Sequence, residues 1–375
     1  MRTSHRTIRK LIREEQSKIT DEQLFSSQQF SAYMTDIVET ATKRYRRRSK
    51  VKMHWDPFSN SDVAHTDNRL IHINAANFLT RSFPTRSLQA DSIIGLAGHE
   101  AGHILFTDFT MLQIHMQALE AGSFYPAEPG NLTMLQSLSL QQIKNYFEEK
   151  DEAVIQAIRL VTHSLVNTME DLYIEARMMD AFPGSFKTGI LLNNLRFSED
   201  IPSVTDEIAE GHHEVFIIIN LLIQYAKSGD LNNADGYKGK YLDTLYECIP
   251  FLDDAAYDED AKARYQAANQ MLVLLWPYMP SLIEQVREDL KNKTHHAAQA
   301  AEEQLATPPK TLSGTSKPVP SKTPYNHTPS SEDEERERLQ SALDYETGRI
   351  ALEKTDEISE GDSGGTSYDR NFSGS

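Results

Sequence analysis

The sequence predicts an α+β fold that is predominantly helical, with a small β-sheet and a disordered C-terminal tail. Three observations carry this. Long stretches between residues 87 and 292 have helical spacing and few breakers. Two short segments, "KVKMHWDP" (50–57) and "RLIHIN" (69–74), are rich in apolar or β-branched residues and lie near turn-forming "SNSD" and "TDN". Residues 308–329 hold six of the fifteen prolines among Ser, Thr and charge, and cannot bury enough apolar surface to offset their ordering entropy.

The 375 residues are 39% hydrophobic and 25% charged, enough for a core but short of an all-globular share, so part of the chain is expected to be unpacked. The net charge is −17. Residues 1–50 hold twelve Lys or Arg against six Asp or Glu, so the rest carries the acidity. Such an acidic chain makes nucleic acid an unlikely partner. The basic run "KRYRRRSK" (43–50) reads as a solvated helix end. The single cysteine, Cys248, excludes an internal disulfide and suits a reducing compartment. The first residues lack the apolar core of a secretory signal. The longest apolar run, "VFIIINLLI" (215–223), is far below the ~20 residues that span a bilayer. The expectation is a cytoplasmic protein with no membrane partner.

In order along the chain, residues 1–50 form a basic helical segment, 51–293 a folded domain and 294–375 the tail. Helical spacing takes over from Ser87, a candidate N-cap. A helix is expected over 141–181, open to a break, and "FPG" (182–184) stops it. Further helices are expected over 205–229 and 258–292, the latter split by "WPYMP" (276–280).

The chemistry centres on "GLAGHEAGHILFTDF" (95–109), which contains an HExxH pattern. On a helix, positions four apart lie about 40° from each other. His99 and His103 can therefore aim two imidazole nitrogens at one ion about 2.0–2.1 Å from each. Glu100 lies about 100° round, within reach of a water but not as a ligand, and is the candidate general base. Gly95, Gly98 and Gly102 weaken this helix by about 1 kcal/mol each relative to Ala, which calls for close approach by a neighbour or room for a ligand. The alternative is a plain helix that happens to carry two histidines.

A catalytic zinc has three protein ligands. "HSLVNTMEDLYIEARMMDAFPG" (163–184) is the best source of the third. A helical wheel sets Leu165, Met169, Leu172, Ala176 and Met179 on one face and His163, Asn167, Glu170, Asp171 and Ile174 on the other. Glu170 is the preferred ligand. Asp171 is a candidate outer acceptor that holds a histidine tautomer, or the ligand itself, with Asn167 and Glu175 beside it. The competing reading is the solvent face of an amphipathic helix. His72 is a weaker candidate to line a cleft, and His212 and His213 read as helix-capping or preceding residues.

Together, "GLAGHEAGHILFTDF" and "NTMEDLYIEARMMDAFPG" resemble the N-terminal region of bacterial and phage-type proteins related to the cobaltochelatase large accessory subunit and the nitric-oxide-reductase activation protein. The match covers about 90 residues. It implies a zincin-like domain, Zn2+ held by His99, His103 and an acid from Glu170–Asp171, and a MoxR-type AAA+ ATPase as possible partner. The chain departs from that pattern in lacking a D-x-S-x-S motif, and low-complexity sequence stands where a von Willebrand factor A domain would begin. Two functions compete: a zinc metallopeptidase acting on a peptide or protein, with strand 69–74 as the edge that pairs with an extended substrate, or a non-catalytic zinc-stabilised adaptor for the ATPase.

Overall fold

The computed structural model describes residues 18–59, 62–67 and 70–292. The chain is mostly helical with one three-stranded sheet, as the sequence predicts. The tail from 294 on lies outside the described residues, as do His295 and His296. No helix among the described residues is long and apolar enough to cross a membrane. The described chain divides into two compact units. One takes the residues up to Phe106 together with Arg177–Asn193, and the other takes Thr107–Ala176 and the residues from Asn194 onward.

The first unit opens with α1 (Asp21–Phe25) and α2 (Gln28–Lys43), capped by the hydroxyls of Thr20 and Ser27. Both contribute to the unit's core through Phe25, Met34, Ile37 and Val38. The N-terminal segment therefore packs with the sheet, while Lys43–Arg48 stay exposed. Strands β1 (Lys50–His54), β2 (Ala64–Thr66) and β3 (Leu70–Asn74) follow in the order β1-β3-β2. β1 runs parallel to β3 and β2 antiparallel to it. Strand 69–74 is thus central, not the expected edge, and has no free side for an extended substrate. The three-residue β2 covers it, and a segment that short leaves no readable alternation. On β1, the Thr35 hydroxyl bonds both the N–H and the C=O of Val51. Val51, Met53, Ile71 and Ile73 face the core, where they meet α4 (Arg86–Phe106) through Ile93, Ala97 and Ile104. A short α3 (Phe78–Arg81) precedes α4. Thr85, not Ser87, caps α4: its hydroxyl accepts from the N–H of Leu88.

The second unit comprises α5 (Phe109–Glu120), α6 (Met134–Glu149), α7 (Glu152–Ala181) up to Ala176, and α8 (Ser185–Glu199) from Asn194. It continues with α9 (Val204–Glu210), α10 (Glu214–Ser228), α11 (Lys240–Tyr257), α12 (Ala261–Leu275) and a helix over 280–292. The expected break in 141–181 falls at Lys150, which takes the left-handed conformation and ends α6; Asp151 then accepts from the N–H of Val154 and starts α7. Gly211 divides 205–229 in the same way. A single 3-10 turn, Trp276–Tyr278, splits 258–292 where the prolines predicted. The core is drawn chiefly from α7, α10, α11 and α12, with α5 and α6 adding Leu112, Leu119 and Ile143. α10 is apolar almost all round, with Val215, Ile217, Ile218, Leu221 and Leu222 at 1% exposure or less, which requires burial on every side.

Candidate metal centre

His99 and His103 stand one turn apart on α4. Their rings meet edge to face, with centroids 4.9 Å apart and planes at 81°. The two Nε2 atoms are 3.2 Å from each other. Two nitrogens bound tetrahedrally at about 2.0–2.1 Å from one zinc lie about 3.3 Å apart. The helix thus already sets the imidazoles at the spacing of two ligands. His99 is half-buried, and His103 and Glu100 are buried.

Two of the three glycines of this helix, Gly95 and Gly98, have a packing reason. A Cβ on Gly95 would lie 2.3 Å from the backbone carbonyl of Gly189 in α8, and a Cβ on Gly189 would lie 2.4 Å from the carbonyl oxygen of Asp91. Only two glycines let these backbones pass so closely. A Cβ on Gly98 would meet the ring of Phe186 at 2.6 Å. The Asn193 amide locks the crossing by donating to the carbonyl of Ser92 at 2.9 Å. α4 is therefore braced on the same helix turns that carry the histidines.

In the second unit, α7 is buried on both of its faces. Glu170, Asp171 and Glu175 are 2%, 8% and 3% exposed, so the solvent-face reading of this helix fails. Charge partners from other helices explain how three acids can be buried together. Arg264 of α12, itself buried, donates from Nε to Glu170 Oε1 at 2.7 Å, and Thr107 donates to Oε2. The same guanidinium bonds the carbonyl of Asp258 and lies 3.9 Å over the ring of Tyr173. Lys227 of α10 donates to Glu175 Oε1 at 2.7 Å and lies 3.6 Å from Asp171 Oδ2. Asn194 donates to the other oxygen of Glu175. Burial by itself would lower the Lys227 pKa, but the charges of Glu175 and Asp171 and their hydrogen bonds outweigh it and raise it. Three buried carboxylates thus meet two buried cations, Arg264 and Lys227.

Sequence reasoning placed the two histidines, Glu100 and the acids, but not Lys227, Arg264 or Thr107. These come from distant positions with no spacing signal. Asn167 is half-buried and His163 buried on α7. His213 stands at the N-cap of α10 without a capping bond and meets Ser281 instead, while His212 pairs with Glu207 and Glu210. His72 lies on the sheet face away from the core. The chain matches no family model, no curated protein and no solved structure.

Proposed function

We propose that the chain is a zinc-dependent, metallopeptidase-like hydrolase in which His99, His103 and Asp171 hold the ion and Glu100 is the general base. The observation that carries this reading is the 3.2 Å separation of the two imidazole nitrogens on one braced helix. Two imidazoles and a carboxylate suit zinc. Asp171 is taken as the acid for two reasons. With the two histidines it makes up the group of described residues able to hold a metal ion. Glu170, the acid ranked first from sequence, has both oxygens engaged by Arg264 and Thr107. In this reading Glu170 and Glu175 anchor the charge balance around α7.

When bound, zinc supplies Lewis acidity for a scissile carbonyl and lowers the pKa of water towards ~7. The chain's own groups do the rest. His99 and His103 must be neutral at Nε2 to act as ligands. Glu100 accepts a proton from the attacking water and passes it to the leaving amine, so no covalent intermediate forms. Burial of Glu100 keeps bulk water from competing for that proton.

The test compares wild type with Glu100→Gln on casein and a peptide library, both loaded with zinc. Glu100→Gln is expected to hold the same zinc while turnover falls about 10²–10⁴-fold. Equal cleavage by the two proteins overturns the mechanism. A zinc-loaded wild type that cleaves nothing overturns the enzymatic reading in favour of the adaptor.

A further inference from the structure

We propose that Lys227 is a positioning residue for the metal centre: it steers the carboxylate of Asp171 towards the ion while Glu175 neutralises its charge. The inference rests on the reading of His99, His103 and Asp171 as ligands, and assigns a task to a buried lysine that this reading leaves unused.

Lys227 is an exception on its helix. α10 carries two charged residues, Glu214 in its first turn and Lys227 in its last. Glu214 is held by Lys240 and Tyr241. A lysine so near a helix end can ordinarily extend its stem and keep its ammonium in water. The side chain of Lys227 is instead 13% exposed and meets two acids of α7. Burying an ammonium is costly unless such partners receive it.

Asp171 and Glu175 stand four apart on α7, one turn from each other, and the ammonium lies against both. Its two distances differ. Nζ donates to Glu175 Oε1 at 2.7 Å but stays 3.6 Å from Asp171 Oδ2, an ion-pair distance too long for a direct hydrogen bond. Glu175 is engaged on both oxygens, since the other accepts from Asn194 at 2.6 Å. Asp171 is therefore attracted by Lys227 without being taken up by it. The last torsion of an aspartate is broad, so a fixed charge on one side decides which way its oxygens turn. The carboxylate so held has an oxygen within 4.8 Å of a ligand nitrogen of each histidine. Glu170, the adjacent acid, shows the contrast: Arg264 and Thr107 bond its oxygens directly. A lone ammonium beside a ligand would also repel the ion, but the Lys227–Glu175 pair carries no net charge. Groups that orient a ligand without touching the metal set its affinity by about 10–100-fold.

The test is the zinc dissociation constant of the full chain, read by competition with a chromophoric chelator, with far-UV circular dichroism as the check on folding. Lys227→Met/Glu175→Gln removes one charge of each sign and keeps an acceptor for Asn194, so the net charge around Asp171 does not change. It is expected to weaken the zinc that depends on His99 and His103 about 10–100-fold. Lys227→Met alone is expected to weaken it too, and serves if the double variant does not fold. Wild-type affinity in a folded variant lacking Lys227 overturns the proposal, because the lysine would then only hold α10 to α7. If wild type binds no more zinc than His99→Ala/His103→Ala, the metal centre itself fails and the role of Lys227 falls with it.

Discussion

At the scale of single residues, the two histidines were legible because helix geometry alone fixes positions four apart. Glu170 and Asp171 are adjacent and equally acidic, and the sequence carries no sign that Arg264 reaches one and Lys227 the other from α12 and α10. The glycines on α4 were legible as a cost that close approach by a neighbour could explain, but the neighbour itself was not, since Gly189 lies far along the chain. Gly95→Ala is expected to lower stability by about 3 kcal/mol, the upper range for overpacking, because the new methyl meets backbone rather than a flexible side chain. Gly189→Ala should cost a similar amount, and urea unfolding of each checks both. Cys248 gives a pH prediction. Burial pushes its thiol from 9.0 up to about 12, with the Glu247 charge adding to the rise. A pKa raised on folding stabilises fully below the unfolded value, so this contribution is lost as pH climbs from 9 towards 12. The native thiol should therefore resist an aromatic disulfide reagent at pH 8 and react once urea unfolds the chain.

At the scale of elements, β1 and β3 stand where their residue types put them, because apolar and polar side chains alternate along β1 and along Ile71–Asn74 of β3. The order of the sheet was not readable, since three residues of β2 decide which strand is central. α11 has Pro250 inside it, against the local rule, because its apolar face with Leu245, Cys248 and Leu252 is buried in the second core. α7 shows the limit of a helical wheel. The wheel separates two faces correctly but does not reveal that Lys227 and Arg264 allow the acidic one to be buried. Arg264→Met removes the guanidinium from a buried carboxylate and is expected to cost about 3–5 kcal/mol, whereas Arg264→Met/Glu170→Met should recover most of that loss. Denaturant titration of the two variants tests this. Equal loss in both would mean that the pair is not what holds α7 in place.

At the scale of the whole molecule, the acidic composition and the predominantly helical character were both readable from the sequence, because they are sums over many residues. The division into two compact units was not, since two of its three boundaries among the described residues fall inside α7 and α8, where no linker composition marks them. A metal that binds only the folded chain stabilises it by mass action. Free zinc at a hundred times its Kd should raise stability by about 2.7 kcal/mol, and a chelator should reverse the accompanying rise in Tm. The most direct measurement is the zinc content per chain of purified wild type against His99→Ala/His103→Ala. The account predicts that the substitution removes one equivalent. Identical zinc content in two equally folded proteins would contradict it.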